Sequence, residues 1–172
     1  MAVLDILELP DPRLKQVSEE VTVFDDALRS FIADLEETRR NGPGAVGIAA
    51  PQVACFRRVT IIDCSKTRNP VPTHGHLVLV NPEITHWEGY EKGREGCLSV
   101  PDYTGNVIRA MHIRLTARDA GGEPLEFEME GYEARAAQHE IDHLDGMLFV
   151  DRVVSRRTDL FQRKVYQAGG GK

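Results

Sequence analysis

Cysteine is scarce in this chain. Cys55, Cys64 and Cys97 are the only three in 172 residues, an odd and scattered set. That argues against a disulfide framework and fits a reducing cytosol, where thiols stay free. An excess of positive charge is missing too. The formal charge is −6, which argues against general nucleic-acid affinity and against base reading. No apolar run approaches transmembrane length, so no membrane association is expected. The start, Met1-Ala2-Val3-Leu4-Asp5, lacks the basic residues and apolar stretch of a secretion signal, and a cytoplasmic location is the expectation. Internal repeats, long linkers and low-complexity segments are absent as well. With 41% hydrophobic and 28% charged residues, the composition is that of one soluble globular domain. We expect it to span residues 1–168, with Gly169-Gly170-Gly171-Lys172 as an unstructured tail.

What is present is His139-Glu140-Ile141-Asp142-His143. Histidines four apart share one face of a helix and can bind one metal ion. Glu140 can reach a water on that metal, an arrangement suited to metal-assisted hydrolysis. The alternative is two surface histidines on an ordinary helix. Ala134 to Gln138 are strong helix formers, and Gly131 and Gly146 bracket the run, so a helix is expected over about 132–145. A hydrolytic site needs a third protein ligand. No histidine follows His143, and Asp145, Asp151 and Asp159 fit no zincin spacing. The third ligand is therefore sought upstream. Cys55 and Cys64 flank the apolar Val59 to Ile62 and read as core. Cys97 follows a glycine in a charged, turn-like stretch. Spacing alone leaves it open whether Cys97 is a ligand or another buried thiol.

Three segments together resemble the signature motifs of peptide deformylases. Ala45-Val46-Gly47-Ile48-Ala49-Ala50-Pro51-Gln52 is similar to the first, with Ala45 where the family has glycine. Glu95-Gly96-Cys97-Leu98-Ser99 matches the second in full, and Gln138-His139-Glu140-Ile141-Asp142-His143-Leu144 the third. Leu9-Pro10-Asp11-Pro12-Arg13-Leu14 is similar to the family's opening. The resemblance implies an α+β fold, antiparallel sheets packed around a central metal-binding helix in a single domain. It implies Cys97, His139 and His143 as ligands of one divalent metal, iron in the cell with zinc, nickel or cobalt as substitutes. It implies removal of the formyl group from formyl-methionyl peptides and nascent chains. Glu140 would act as base and acid, and the Gln52 amide and Leu98 backbone N–H would stabilise the oxyanion. Val46, Gly47, Glu95 and Gly96 would line the substrate path.

Some assignments stay open. Gly47 and Ala49-Ala50 are a close cleft wall or only a tight turn. Glu95 and Arg109 form an ion pair supporting the site, or a plain surface pair. Asp142 orients a ligand histidine or faces solvent. His74, His76, His86 and His112 have no partner spacing and are read as non-ligands. A zincin-like endopeptidase and a non-catalytic peptide or metal binder are the rival functions. Cys97 weighs against the first, and intact Glu140 and Gln52 weigh against the second.

Periodicity supplies the elements. Asp25 or Asp26 caps a helix to about Arg40 with Leu28, Phe31, Ile32 and Leu35 on its core face, stopped by Asn41-Gly42-Pro43-Gly44. Val59–Asp63 and Leu77–Val80 read as buried strands, and Trp87, in a third strand or at its edge, reads as core rather than as a stacking surface for substrate. Met111–Arg118 and Leu125–Glu130 alternate with period two around Asp119-Ala120-Gly121-Gly122, a hairpin with arginines facing glutamates. Ser155 is expected to cap a last helix through about Gln167. Residues 152–172 carry Arg152, Arg156, Arg157, Arg163, Lys164 and Lys172 against Asp159, a net +5. This asymmetry suggests an anionic partner, with transient ribosome contact through the basic C-terminal helix as the candidate. Pairing of these cations with the acidic body is the alternative.

Overall fold

In the computed structural model, which describes residues 2–163, two helices pack against one antiparallel sheet. Helix α1 runs Asp26–Asn41, and the Asp25 side chain accepts from the Leu28 N–H at 3.0 Å. The face carrying Leu28, Ile32 and Leu35 is buried against Ile48, Val59, Ile61 and Val80. Gly42 ends the helix, as its sequence signals require.

The sheet contains β1 (Gly47–Ala49), β2 (Val59–Asp63), β3 (His76–Cys97), β4 (Val100–Arg118), β5 (Pro124–Glu130) and β6 (Leu160–Gln162). The first five are neighbours in chain order, and β6 pairs with β4. On β4 and β5, Ile113, Leu115, Ala117 and Met129 turn inward, while Arg114 meets Glu128 outside at 3.0 Å. Helix α2 (Gly131–Leu144) lies in the hollow of this sheet, buried from Glu133 to Leu144. Its small Ala134, Ala136 and Ala137 let it approach Ile62, Leu79, Ala110 and Leu115 closely.

Two contacts fix where α2 sits. Pairing of β5 with β4 stops at His112↔Glu130, and Gln138 takes over that edge. Its amide accepts from the Ala110 N–H at 3.1 Å and donates to the Ala110 carbonyl at 2.7 Å. At the other end Gly146, at φ +75°, closes the helix. The Gly146 N–H bonds the His143 carbonyl and the Met147 N–H the Asp142 carbonyl.

Three expectations need correction. The strand expected over Leu77–Val80 extends to Cys97 with register shifts along the way. Trp87 is not core: it is 48% exposed. β2 covers only His76–Val80 of β3, so beyond that point β3 is an edge strand paired with β4, exposed on both faces over 85–92. The terminal helix is not formed from Ser155 to Arg163. Residues 156–158 turn, and Leu160–Gln162 pair with Tyr103–Gly105, satisfying an edge of β4 that β5 does not reach. The rest of the expected helix, and the tail, lie outside the described residues.

Candidate metal centre and active site

The 3.6-residue helical period brings His139 and His143 to one face of α2, with ring centroids 5.2 Å apart. The last residue of β3 delivers the third donor. Cys97 Sγ stands 3.3 Å from His143 Nε2. Ligand atoms of Cys97, His139 and His143 all lie within 4.8 Å of one another, and all three residues are buried. His74, His76, His86 and His112 lie elsewhere: the first three meet Glu133, Glu36 and Glu88, and His112 stands opposite Glu88 on β4.

The trio suits a divalent ion by its chemistry. One sulfur and two imidazoles are donors that zinc or ferrous iron accept, and three protein ligands leave one position open. His139 Nδ1 faces Glu95 Oε1 at 2.8 Å, which leaves Nε2 for an ion. Burial pulls His139 down, but hydrogen bonds to Cys97 and Glu95 carry it well above the ordinary imidazole value. An ion on Nε2 competes with that proton, so metal and proton exclude one another there. His143 is held well below its ordinary value, by burial first and then by the charges of His139 and Arg109.

Glu95 is the hub of the support. Its carboxylate takes Arg109 Nε and Nη2 at 2.9 Å each, and Arg135 Nη1 at 2.9 Å. Burial works against its charge, but Arg109 and His139 hold it well below the usual carboxylate range. Glu95 borders the cleft, yet both of its oxygens are engaged. Asp142 neither faces solvent nor hydrogen-bonds His139 or His143. It is buried, bonds Arg109 Nη1 at 2.6 Å and pairs with Arg152, so it acts on His139 through Arg109 and Glu95.

Glu140 is 5% exposed, and its Oε1 has no hydrogen-bond partner among the described residues. Burial pushes its carboxyl up to about 7, with His139 opposing. The strand of motif one passes directly over it: a Cβ on Gly47 would stand 2.6 Å from Glu140 Oε2. Gln52 arrives on the short 3₁₀ turn Ala50–Val53. Its Oε1 accepts from the Ala49 N–H at 2.9 Å, and its Nε2 donates to Ser99 Oγ at 3.1 Å and reaches Cys97 Sγ at 3.5 Å. These groups open on a cleft of about 240 Å³, also bordered by Val46, Gly96, Leu98 and Tyr132. Val46, Gly47, Gln52, Glu95, Gly96, Cys97, Leu98, His139 and Glu140 thus border one cleft, with His143 beside Cys97.

Sequence reasoning passed over Ser99, Arg135 and Tyr132. Ser99 is fully buried and fixes the Gln52 amide. Arg135 lies four residues before His139, on the same helical face, and that spacing was the available signal. Tyr132 borders the cleft from the first turn of α2, and no pattern in the sequence marks it.

Two helix histidines and a strand cysteine, all buried, beside a Glu140 whose Oε1 has no hydrogen-bond partner among the described residues, define a metallohydrolase. Residues 3–159 match the polypeptide deformylase family. The chain belongs to that family, whose members are metal-dependent hydrolases that remove the N-formyl group from newly made polypeptides. It is 42% identical over 165 residues to a peptide deformylase of Acidobacterium capsulatum, spanning 96% of this chain and 95% of the relative. Among solved structures, the peptide deformylase of Thermotoga maritima superposes with a TM-score of 0.82 at 35% identity, covering 90% of this chain and all of that one. A class I type b peptide deformylase of Acinetobacter baumannii, crystallised with Met-Ala-Ser bound, gives 0.82 at 35% identity over 88% of this chain and 100% of its own.

Proposed function

We propose that this protein hydrolyses the formyl group from formyl-methionyl chains, with Cys97, His139 and His143 holding the metal and Glu140 moving the proton. The observation that carries this is the buried Glu140 carboxylate beside the trio, its Oε1 without a hydrogen-bond partner among the described residues, in a cleft that also receives the Gln52 amide. An ion held by the trio would supply Lewis acidity, polarising the formyl carbonyl and making water a nucleophile near neutral pH. Glu140 takes the proton of that water and returns it to the leaving amine. Gln52 Nε2 and the Leu98 backbone N–H donate to the developing oxyanion. Glu95 holds the His139 ring in place from behind. Val46, Gly47 and Gly96 border the path along which the peptide backbone lies. The products are formate and a free α-amino group. That an Acinetobacter baumannii relative binds Met-Ala-Ser, the peptide such a reaction would release, supports the substrate.

The decisive experiment gives the metal-loaded protein formyl-Met-Ala-Ser and a longer, N-blocked peptide. Formate from the first and no cleavage of the second is the expected result. Internal cleavage would make it an endopeptidase, and neither product would make it a binder. Iron is the proposed working metal, with zinc, nickel and cobalt as substitutes, because the family resemblance points to it; the Cys/His/His donor set itself admits zinc or ferrous iron alike. Iron-loaded enzyme should then lose activity in air faster than nickel-loaded enzyme. No helix of the described residues is long and apolar enough to cross a membrane. A cytoplasmic location and transient contact between the basic segment 152–172 and the ribosome complete the proposal. Arg152 already pairs with Asp142, so the contact would fall to the remaining cations. Truncation after Val154 should weaken salt-sensitive co-sedimentation with ribosomes.

A further inference from the structure

The end of the described chain carries cations to the mouth of the cleft. The Arg163 N–H bonds the Asp102 carbonyl at 2.7 Å, extending the pairing of β6 by one residue. Strand alternation then sets Phe161 and Arg163 on the same side. The Arg163 guanidinium lies against Gly96, where even a methyl group would collide with it. The Phe161 ring sits 3.8 Å from the guanidinium carbon of Arg94. Thr104 of β4 stands opposite Phe161, its Oγ1 3.4 Å from Arg94 Nη1. Arg94 and Arg163 are exposed, and both border the cleft that holds Cys97 and Glu140.

Among the described residues neither Arg94 nor Arg163 has a carboxylate within ion-pair distance; Arg94 meets only the neutral Asn106 Oδ1, at 3.3 Å, and Thr104. Arg135, which also borders the cleft, is neutralised by Glu95 at 2.9 Å. In a chain of net charge −6, two open guanidiniums at one mouth form a local field of the opposite sign. The formyl group must reach Glu140 and Cys97, which are 5% and 8% exposed on the cleft floor. The residues that follow methionine therefore pass the exposed rim. Guanidinium forks match carboxylates.

We propose that Arg94 and Arg163 are specificity-determining residues that favour formylated chains with aspartate or glutamate directly behind the formyl-methionine. The inference rests on the deformylase reading and names a substrate class within it.

The test uses the full chain loaded with nickel and three C-terminally amidated peptides: formyl-Met-Ala-Ser, formyl-Met-Glu-Glu and formyl-Met-Lys-Lys. Formate release gives kcat and KM for each at low and at high salt. The acidic peptide should exceed the basic one in kcat/KM by about fivefold at low salt, through KM, since each exposed charge pair contributes little. High salt should shrink the ratio. Arg94→Gln with Arg163→Gln should bring it near one, and Arg163→Glu should move it toward the basic peptide. A ratio near one in the parent at low salt overturns the proposal, and so does a ratio that neither variant moves. Formate from the neutral peptide without charge preference sinks this inference alone. No formate from any peptide sinks the deformylase reading with it.

Discussion

Gly47→Ala tests whether the geometry around Glu140 carries the chemistry. A methyl at residue 47 would stand 2.6 Å from Glu140 Oε2 and 2.9 Å from its Cδ and Cγ. Ordinary contact begins near 3.4 Å, so the carboxylate must retreat by about 0.8 Å. The strand cannot yield instead, because Gly47 is paired with Ile62 in β1–β2. A displacement of about 1 Å at a reacting group can cost roughly 10²-fold. Stability should change little. Gly47 has no positive φ, so alanine is conformationally acceptable and restricts the unfolded chain, offsetting the strain. The expected variant is folded, carries about one metal per chain, and loses about 100-fold in kcat/KM. Formate release, metal analysis and thermal unfolding on one preparation decide it. A folded, metal-loaded Gly47→Ala within about threefold of the parent would refute the argument that Glu140 needs this position.

Other perturbations separate ligation, proton transfer and support. Cys97→Ala should lose metal and activity together, while Cys64→Ser affects stability only; full metal content in the Cys97 variant removes it from the ligand set. Glu140→Gln should keep fold and metal but lose about 10²–10⁴-fold in turnover, and near-parent rates would mean that another group takes the proton. Glu95→Gln should lower metal affinity by about 10–100-fold and destabilise the fold, as Arg109 and Arg135 are left buried with less compensation; unchanged metal retention against a chelator would count against its supporting role. Glu36 supplies the acid-stability test. Burial opposes its charge, but Arg39, Arg40 and His76 bring it from 4.5 down to about 2. A depressed folded value stabilises the protein above the unfolded value and is lost as pH falls from about 4.5 toward 2. Glu36→Gln should therefore cost about 1 kcal/mol at pH 7 and flatten that limb, with equal urea midpoints for both proteins at neutral pH as the contrary result.

The parts of the fold that the sequence made legible are those whose signals are local. Leu28, Ile32 and Leu35 mark α1 by spacing, and the alternation from Met111 to Glu130 marks β4 and β5, because each pattern needs only its own element's period. The metal trio was legible for a different reason. His139 and His143 announce themselves on one helix turn, whereas Cys97 comes from a strand that no periodicity connects to α2, and only the motif resemblance joined them.

What stayed hidden depends on distant partners. Trp87 is apolar and aromatic, and sequence cannot say that β2 stops covering β3 at Val80. Ser155 to Arg163 has charge and spacing suited to a helix, but β5 leaves Tyr103–Gly105 of β4 unpaired, and the chain satisfies that edge. The same tertiary demand explains the cleft rim. Arg94 precedes motif two and Arg163 lies 69 positions later, so nothing local relates them. Pairing of β6 with β4 brings Phe161 under one and seats the other on Gly96. Motif residues come from elements that must meet the reacting atoms, so their identities are narrowly constrained. The rim needs only charge at a suitable distance, which many sequences can supply, and it therefore becomes visible only once the strand that carries it is in place.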